Sequence, residues 1–579
     1  MSTSALQPVS VPLLHQGSRS RGAGSPNLWI MNPWWDQLLV IATPLLIVPV
    51  ILLLASSWVG VQTGTIAIVV TAFFALGHHL PGMIRAYGDR ELFQRFRLRF
   101  IFAPLALIAV SFPLYRSHYD AFLVTLFLWG SWHGLMQTYG FVRIYDSKVG
   151  STAPITANLD WLMCLSWFPT AFLFSDRKTA DFLGFWYSYG GPYIAPSAIP
   201  VLRWIFLALS TAVLIAFVVN YAVQWRRGRP PNPVKVLMLG SGIGFWWFSF
   251  VYLEFTGLSV TLFEVAHDVQ YMAITWFYNC RRVNSNSEFD GFMRFLFRRG
   301  MALLYLGLIF AYGAIGMVPS LVRDGTVFAL FNGFILISTI LHYYYDGFIW
   351  KVRDKSTQAG LGVAEGAVPA RAARVGGGGL PHLLKWSPAI LFVGWLFLTD
   401  WTDSPLSAKT KAEIRRQYEA QLTGSTVLPA DEKRQSWLYT EFDHAQKVAA
   451  AVPGDQTAQL RAAMMLANFG RYDDATEILE KLLMRQPCGA VVHQLLGEIH
   501  VLRGDFDRAE QKLAKALLLA KTPQERTNAN LKLGEVYLNQ NKFDWATAKF
   551  QAAVNDDPQL ASTIEELSRR THAAARQSR

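Results

Sequence analysis

The chain has 579 residues, 52% of them hydrophobic and 14% aromatic, with a mean hydropathy of +0.23 and a formal net charge of +12. That is too apolar for an ordinary soluble chain, and three scattered cysteines (Cys164, Cys280, Cys488) exclude a disulfide framework and a thiolate metal site. The positive excess points to loops facing anionic lipid and not to nucleic acid, because no basic patch outside those loops carries interleaved stacking aromatics.

From the N-terminus, residues 1–30 begin polar and rich in Ser and Gly, without the charged start and apolar core of a cleaved signal peptide, and are expected to form a disordered tail. Residues 31–354 read as an all-α, polytopic transmembrane bundle. A helix crossing a hydrocarbon core of roughly 30 Å needs about 20 apolar residues. Eleven stretches are read as spans: 37–58, 63–85, 100–115, 120–142, 158–175, 200–224, 233–253, 258–279, 300–319, 326–349 and, further on, 386–402.

The loops give these spans a direction. After the even-numbered ones come "RAYGDRELFQRFRLR", "RIYDSK", "QWRRGRPPNPVK", "CRRVNSNSEFDGFMRFLFRRG" and "KVRDK". After the odd-numbered ones come "GVQTG", "YRSHYD", "SDRKTADFLG", "LEFTG" and "VRDG". The positive-inside rule makes the first set cytoplasmic, so the N-terminus is expected inside, in a bacterial inner (plasma) membrane. Segments 89–99 and 288–299 mix Phe and Leu with Arg and read as amphipathic helices on the inner surface.

Residues 355–384 include four consecutive glycines, Gly376 to Gly379, and read as a flexible linker. Residues 385–403 read as a last transmembrane or interfacial helix. From 404 to 579 the chain turns polar and helical. "NFGRYDDATEILEKLL", "LRGDFDRAEQKLAKAL" and "NQNKFDWATAKFQAAV" align on Ala475, Ala509 and Ala546. "LLGEIH" and "LGEVYL" supply a first-helix Leu-Gly signature. Over about 457–560 this resembles tetratricopeptide repeats, whose small Ala lets paired helices pack closely. Helix 408–422 is expected to cap the array. The resemblance implies a protein partner, and eleven spans place the repeats outside the cytoplasm, in the periplasm, whereas an interfacial last helix places them inside.

Ionisable groups at membrane depth are costly, about 2.5–3.5 kcal/mol each on insertion scales, and usually mark a site. Here they collect on the even-numbered spans: His78 and His79, His133 with Gln137, Glu264 with His267, Asp268, Gln270 and Tyr271, and His342 with Tyr345 and Asp346. These helices run in the same direction. Counting back at about 1.5 Å per residue from the first inner Arg or Lys puts His79 about 9 Å, His342 about 14 Å, His133 about 15 Å and His267 about 21 Å deep. Residues i and i+4 share a face, so His342 and Asp346 act together, as do Glu264 and Asp268. Any one histidine alone reads equally well as a hydrogen-bond partner of a neighbouring helix. Four helices repeating the pattern point to a shared site.

The metal candidates are His78, His79, His133, His267 and His342, with Asp346, Glu264, Asp268 and Tyr345 as catalytic or orienting groups. Imidazole and carboxylate without thiolate suit non-haem iron, mono- or dinuclear. A haem held by two of the histidines is the alternative. The aromatics Trp132, Trp276, Trp350, Tyr343 and Tyr344 read as packing or interface belts.

Histidines near the cytoplasmic ends of spans resemble the integral-membrane, histidine-rich oxygenases, hydroxylases and desaturases, and the pair His78–His79 is similar to part of their HxxHH box. No complete box is present. The resemblance implies non-haem iron, O2 chemistry and a lipid or isoprenoid substrate entering from the bilayer. The carotene-cleaving membrane dioxygenases are a second histidine-bearing family of this kind. Two other functions stand beside it. A polytopic glycosyl- or lipid-transferase would need a carboxylate in its first outer loop, and "SSWVGVQTG" has none; Glu254 and Asp181 are the substitutes. A non-enzymatic assembly factor or transporter would use the His and Asp groups as a proton relay.

Overall fold

The computed structural model describes residues 27–558 apart from Ser57, His118, 189–191, 254–255, 286–290, Arg299, Arg323, Arg353, 365–378, 404–431 and 486–488. Most of the expected tail, the glycine-rich part of the linker and the capping helix 408–422 lie outside those residues. Among the described residues there is no strand: the chain is all helix and connection.

The helices in order are α1 (Pro33–Ile41), α2 (Thr43–Ala55), α3 (Thr63–Gly88), α4 (Arg90–Arg95), α5 (Arg97–Ser117), α6 (Tyr119–Lys148), α7 (Pro154–Leu173), α8 (Asp176–Ser188), α9 (Ala198–Arg226) and α10 (Val234–Tyr252). There follow α11 (Thr256–Ser285), α12 (Gly291–Leu296), α13 (Ala302–Leu321), α14 (Gly325–Ile349), α15 (Lys355–Leu361) and α16 (Gly379–Asp403). Side-chain caps start several of them. Asp89 accepts from the Leu92 amide at α4, and Asp324 accepts from the Thr326 and Val327 amides at α14.

The count of eleven spans is corrected. Among the described residues five helices, α3, α9, α10, α13 and α14, are long and apolar enough to cross a membrane, or six if α1 and α2, bent by 47°, form one broken span. The other five stretches are helices that fall short for physical reasons. α6 carries His133 and Gln137, α7 carries Asp160, and α11 carries Glu264, His267, Asp268 and Gln270. α5 opens on Arg97 and Arg99, and α16 is apolar only over Trp386–Thr399. α11 is wrapped by α1, α2, α3, α10 and α15, and most of its polar side chains are buried.

At the basic ends of the helices a second polar cluster ties α6, α7 and α10 together. Arg143 and Lys235 both pair with Asp146 and Asp160 at 2.6–2.9 Å, a neutral and buried foursome. Removing one member would leave a buried charge alone, which costs about 3–5 kcal/mol. Two expected boundaries also move. Asp36 accepts the Ile30 and Met31 amides at 2.7 and 2.8 Å, so ordered packing begins before residue 31. The start of the expected linker is the helix α15, because Lys148 Nζ caps its C-terminus through the Leu361 and Gly362 carbonyls and Thr357 meets Arg85.

The C-terminal helices are α17 (Glu432–Ala451), α18 (Gln456–Asn468), α19 (Tyr472–Arg485), α20 (Ala490–Leu502), α21 (Phe506–Leu519), α22 (Pro523–Asn539) and α23 (Phe543–Asp556). They stack as antiparallel pairs α18–α19, α20–α21 and α22–α23. Ala475, Ala509 and Ala546 are fully buried at equivalent positions. A Cβ on Gly497 would lie 2.5 Å from Leu513, and one on Gly534 would lie 2.4 Å from Phe550. The bare backbone there lets the partner helix close in, the role expected of the Leu-Gly signature. The array docks on α8: Ala180, Leu183 and Tyr187 pack with Val448, Ala451 and Val452, and Arg177 meets Asp455 at 3.7 Å. α7 runs away from the basic end to reach α8, so the repeats sit at the opposite end of the bundle.

Candidate metal centre

Four helices meet around one point. α3 brings His78 and His79, α6 brings His133, α11 brings Glu264, His267 and Asp268, and α14 brings His342 and Asp346. α3 widens into a π-type turn over Val70–Leu76 just before its histidine pair, a distortion frequent at functional sites. One nitrogen from each of His78, His133, His267 and His342 lies within 4.8 Å of the others.

Nε2 of His342 is the hub, 3.1 Å from Nε2 of His78 and 3.1 Å from Nε2 of His133. His78 Nδ1 lies 2.8 Å from Asp268 Oδ1 and 3.2 Å from the Phe74 carbonyl. Both are acceptors, so the proton belongs on Nδ1 and Nε2 turns a lone pair to the centre. His342 Nε2 can then satisfy one nitrogen neighbour but not both. The His267 Nε2 and His342 Nδ1 atoms are buried with no hydrogen-bond partner among the described residues. A cation between the nitrogens removes this conflict. Around a metal with bonds of about 2.0–2.1 Å, ligand nitrogens sit roughly 3–4 Å apart. The 3.1 Å contacts fit that geometry, and the 4.8 Å outer limit is slightly wider.

Carboxylates stand behind the imidazoles. Asp268 backs His78. Asp346 Oδ2 lies 3.8 Å from Nε2 of both His133 and His342, while its Oδ1 accepts the Tyr271 hydroxyl at 2.7 Å. The Tyr271 oxygen in turn accepts Trp350 Nε1 at 3.4 Å. A Cβ on Gly82 would come within 2.8 Å of that phenol oxygen, so the phenol is seated on bare backbone. Glu264, one turn before Asp268, lines the adjoining cavity. No Lys or Arg pairs with these three carboxyl groups among the described residues, so a cation at the centre would meet no competing basic partner.

Two candidates stand apart. The nitrogens of His79 are not among the four that converge: its ring stacks on His342 at 4.7 Å and its Nδ1 meets Ser338 Oγ at 2.9 Å. Tyr345 turns the other way, to the Tyr87 hydroxyl at 2.8 Å and the Phe100 ring. At about 100° per residue, Tyr345 lies some 60° to one side of His342 and Asp346 some 40° to the other, which is the side of the site. Tyr343 falls on that side as well, and its ring lies 4.7 Å from that of His133. Tyr343 and Trp350, expected in packing or interface belts, and Ser338, which has no distinguishing sequence signal, all lie beside the site. The angular position of Tyr343 was the available signal. Gln137, expected beside His133, instead donates to the His267 carbonyl at 2.9 Å and fixes α11 against α6.

Beside the imidazoles lies a cavity of about 210 Å³ lined by His78, His79, His133, Glu264, His267 and Tyr343 and by apolar or small residues including Ala75, Gly130, Val260, Phe263 and Ile335. The described cysteines, Cys164 and Cys280, pack in other clusters.

Residues 492–527 match the tetratricopeptide repeat. The match covers α20, α21 and the start of α22. No curated protein and no solved structure matches the chain. The resemblance to histidine-rich oxygenases and desaturases therefore gains nothing from these comparisons and rests on the histidines themselves.

Proposed function

We propose that the chain is an integral-membrane, metal-dependent oxidoreductase of the oxygenase, hydroxylase or desaturase type. Its substrate on this reading is a lipid or isoprenoid, and its repeats hold a protein partner. The observation that carries this is the convergence of four imidazole nitrogens from four helices, backed by carboxylates with no basic partner. His78, His133, His267 and His342 would hold the ion. The all-nitrogen set with neutral imidazoles and no thiolate suits iron, copper or zinc, and the redox reading favours non-haem iron. Bound iron would supply the activation of O2. The four nitrogens crowd a single point and leave no gap for a porphyrin between two axial ligands, which disfavours haem.

The protein's own groups have separable tasks. Asp268 holds the tautomer of His78. Tyr271 holds Asp346 close to two of the nitrogens. The apolar cavity keeps bulk water from the centre. The basic loops favour a cytoplasmic inner end, and the docking of the repeats on α8 favours their lying on the other side, in the periplasm of a bacterial inner membrane.

The test is to purify the full chain in mild detergent, load it with iron, and follow O2 consumption on adding an isoprenoid-rich lipid extract. O2 uptake that needs both iron and extract is expected. Iron-loaded protein that consumes no O2 with any apolar extract would remove the oxidoreductase reading.

A further inference from the structure

The cavity beside the histidines has a direction. Thr71, Val260 and Ile335 line it, and each stands seven residues before a histidine of the centre on its own helix. At about 1.5 Å per residue that is roughly 10 Å. Thr71 and Val260 are exposed, so the cavity opens there, on the half of the bundle away from the basic loops. On the other side of the histidines it is shut. Asp346, Tyr271 and Trp350 are hydrogen-bonded to one another, and Arg85 lies 3.8 Å over the Trp350 ring and 4.0 Å over Tyr278.

Its bore has a specific origin. Gly130 and Gly134 are one turn apart on the same face of α6. A Cβ on Gly130 would lie 2.8 Å from the Tyr343 hydroxyl, and one on Gly134 would lie 2.3 Å from Phe263 Cζ. The two rings are thus drawn back onto bare helix backbone, and any side chain at these positions would push them into the cavity. A volume of about 210 Å³ holds roughly seven water-sized groups, which is the end of a chain and not a whole lipid. The one carboxylate in the lining, Glu264, opposes an anionic end group.

From these observations we infer that the cavity is a one-ended slot for the uncharged terminus of a linear hydrocarbon chain, entered at Thr71 and Val260, with Tyr343 and Phe263 on Gly130 and Gly134 setting its width. The inference deepens the proposed function, on which it rests for the chemistry at the floor of the slot.

The test uses the full chain in nanodiscs and a hexadecane bearing a diazirine on its terminal carbon, photolysed and mapped by mass spectrometry. Adducts are expected on the inner slot lining, at Phe263 or Ile335, in addition to the lipid-facing surface of α9. Val260→Trp, which fills the mouth, should lower the slot adducts about tenfold, equivalent to about 1.4 kcal/mol of lost occupancy, and leave those on α9 unchanged. The bulkier adamantane diazirine should label the slot only after Phe263→Ala, which widens it. Adducts confined to α9 and other outer surfaces in the wild type would overturn the inference, as would slot labelling by adamantane diazirine in the wild type equal to that in Phe263→Ala. Metal content is measured on the same samples: slot adducts in a protein that binds no metal would sink the proposed function and leave the slot standing.

Discussion

In the repeats the helix contacts are set by small residues against large apolar ones: Ala475, Ala509 and Ala546 are fully enclosed, and Gly497 and Gly534 receive Leu513 and Phe550. In the bundle a buried point is polar, with four imidazoles and two aspartates where α3, α6, α11 and α14 meet. Both regions use glycine to bring helices or rings close, yet to different ends. The repeat contacts need mainly the right sizes at a fixed period, and a family match follows from that period. The bundle core is satisfied only if something supplies the charge its lone pairs and carboxylates face. A periodic pattern cannot carry that requirement.

This contrast predicts that the two regions break independently. The largest effect is expected from His342→Ala, which removes the hub nitrogen: metal affinity, measured by competition with a chelator, should fall by more than the roughly 10–100-fold that losing an outer partner costs. Phe550→Ala should destabilise the repeats by about 3–5 kcal/mol, lowering their thermal transition with no change in metal content. Asp268→Ala keeps all four imidazoles but frees the His78 tautomer, so metal affinity should fall about 10–100-fold while the fold persists. A metal loss as complete as that of His342→Ala would instead make Asp268 a ligand. Arg177→Ala cuts a partly exposed pair between α8 and the repeats and should cost less than about 1 kcal/mol. Tyr345→Phe should leave metal content untouched, since its hydroxyl faces Tyr87.

Much of the fold was legible because helical periodicity and apolar length are local. The span count ran high where polar residues interrupt a helix enclosed by others, as in α6 and α11. The depth estimates scattered for a related reason. They count from the first inner Arg or Lys, but Arg85 is buried between Tyr278 and Trp350 and Arg281 donates to the Met31 carbonyl at 3.2 Å. Both pack inside the protein, so neither marks a membrane surface, and counts from them share no common zero of depth. The converging histidines were visible as a set because four helices repeat the motif. The positions of Tyr343, Ser338 and Tyr271 depend on how α3 and α14 rotate against α6 and α11, which no single segment encodes. The helix α15 was hidden among linker-like residues, since its anchors, Arg85 and Lys148, lie far away in sequence.

The central claim is that the four histidines hold one metal ion. It is tested most directly by metal stoichiometry on the wild-type chain, purified in mild detergent and reconstituted in turn with iron, zinc, copper and manganese. One tightly held ion per chain, retained on gel filtration, is the predicted result. A chain that retains none of the four would contradict the account.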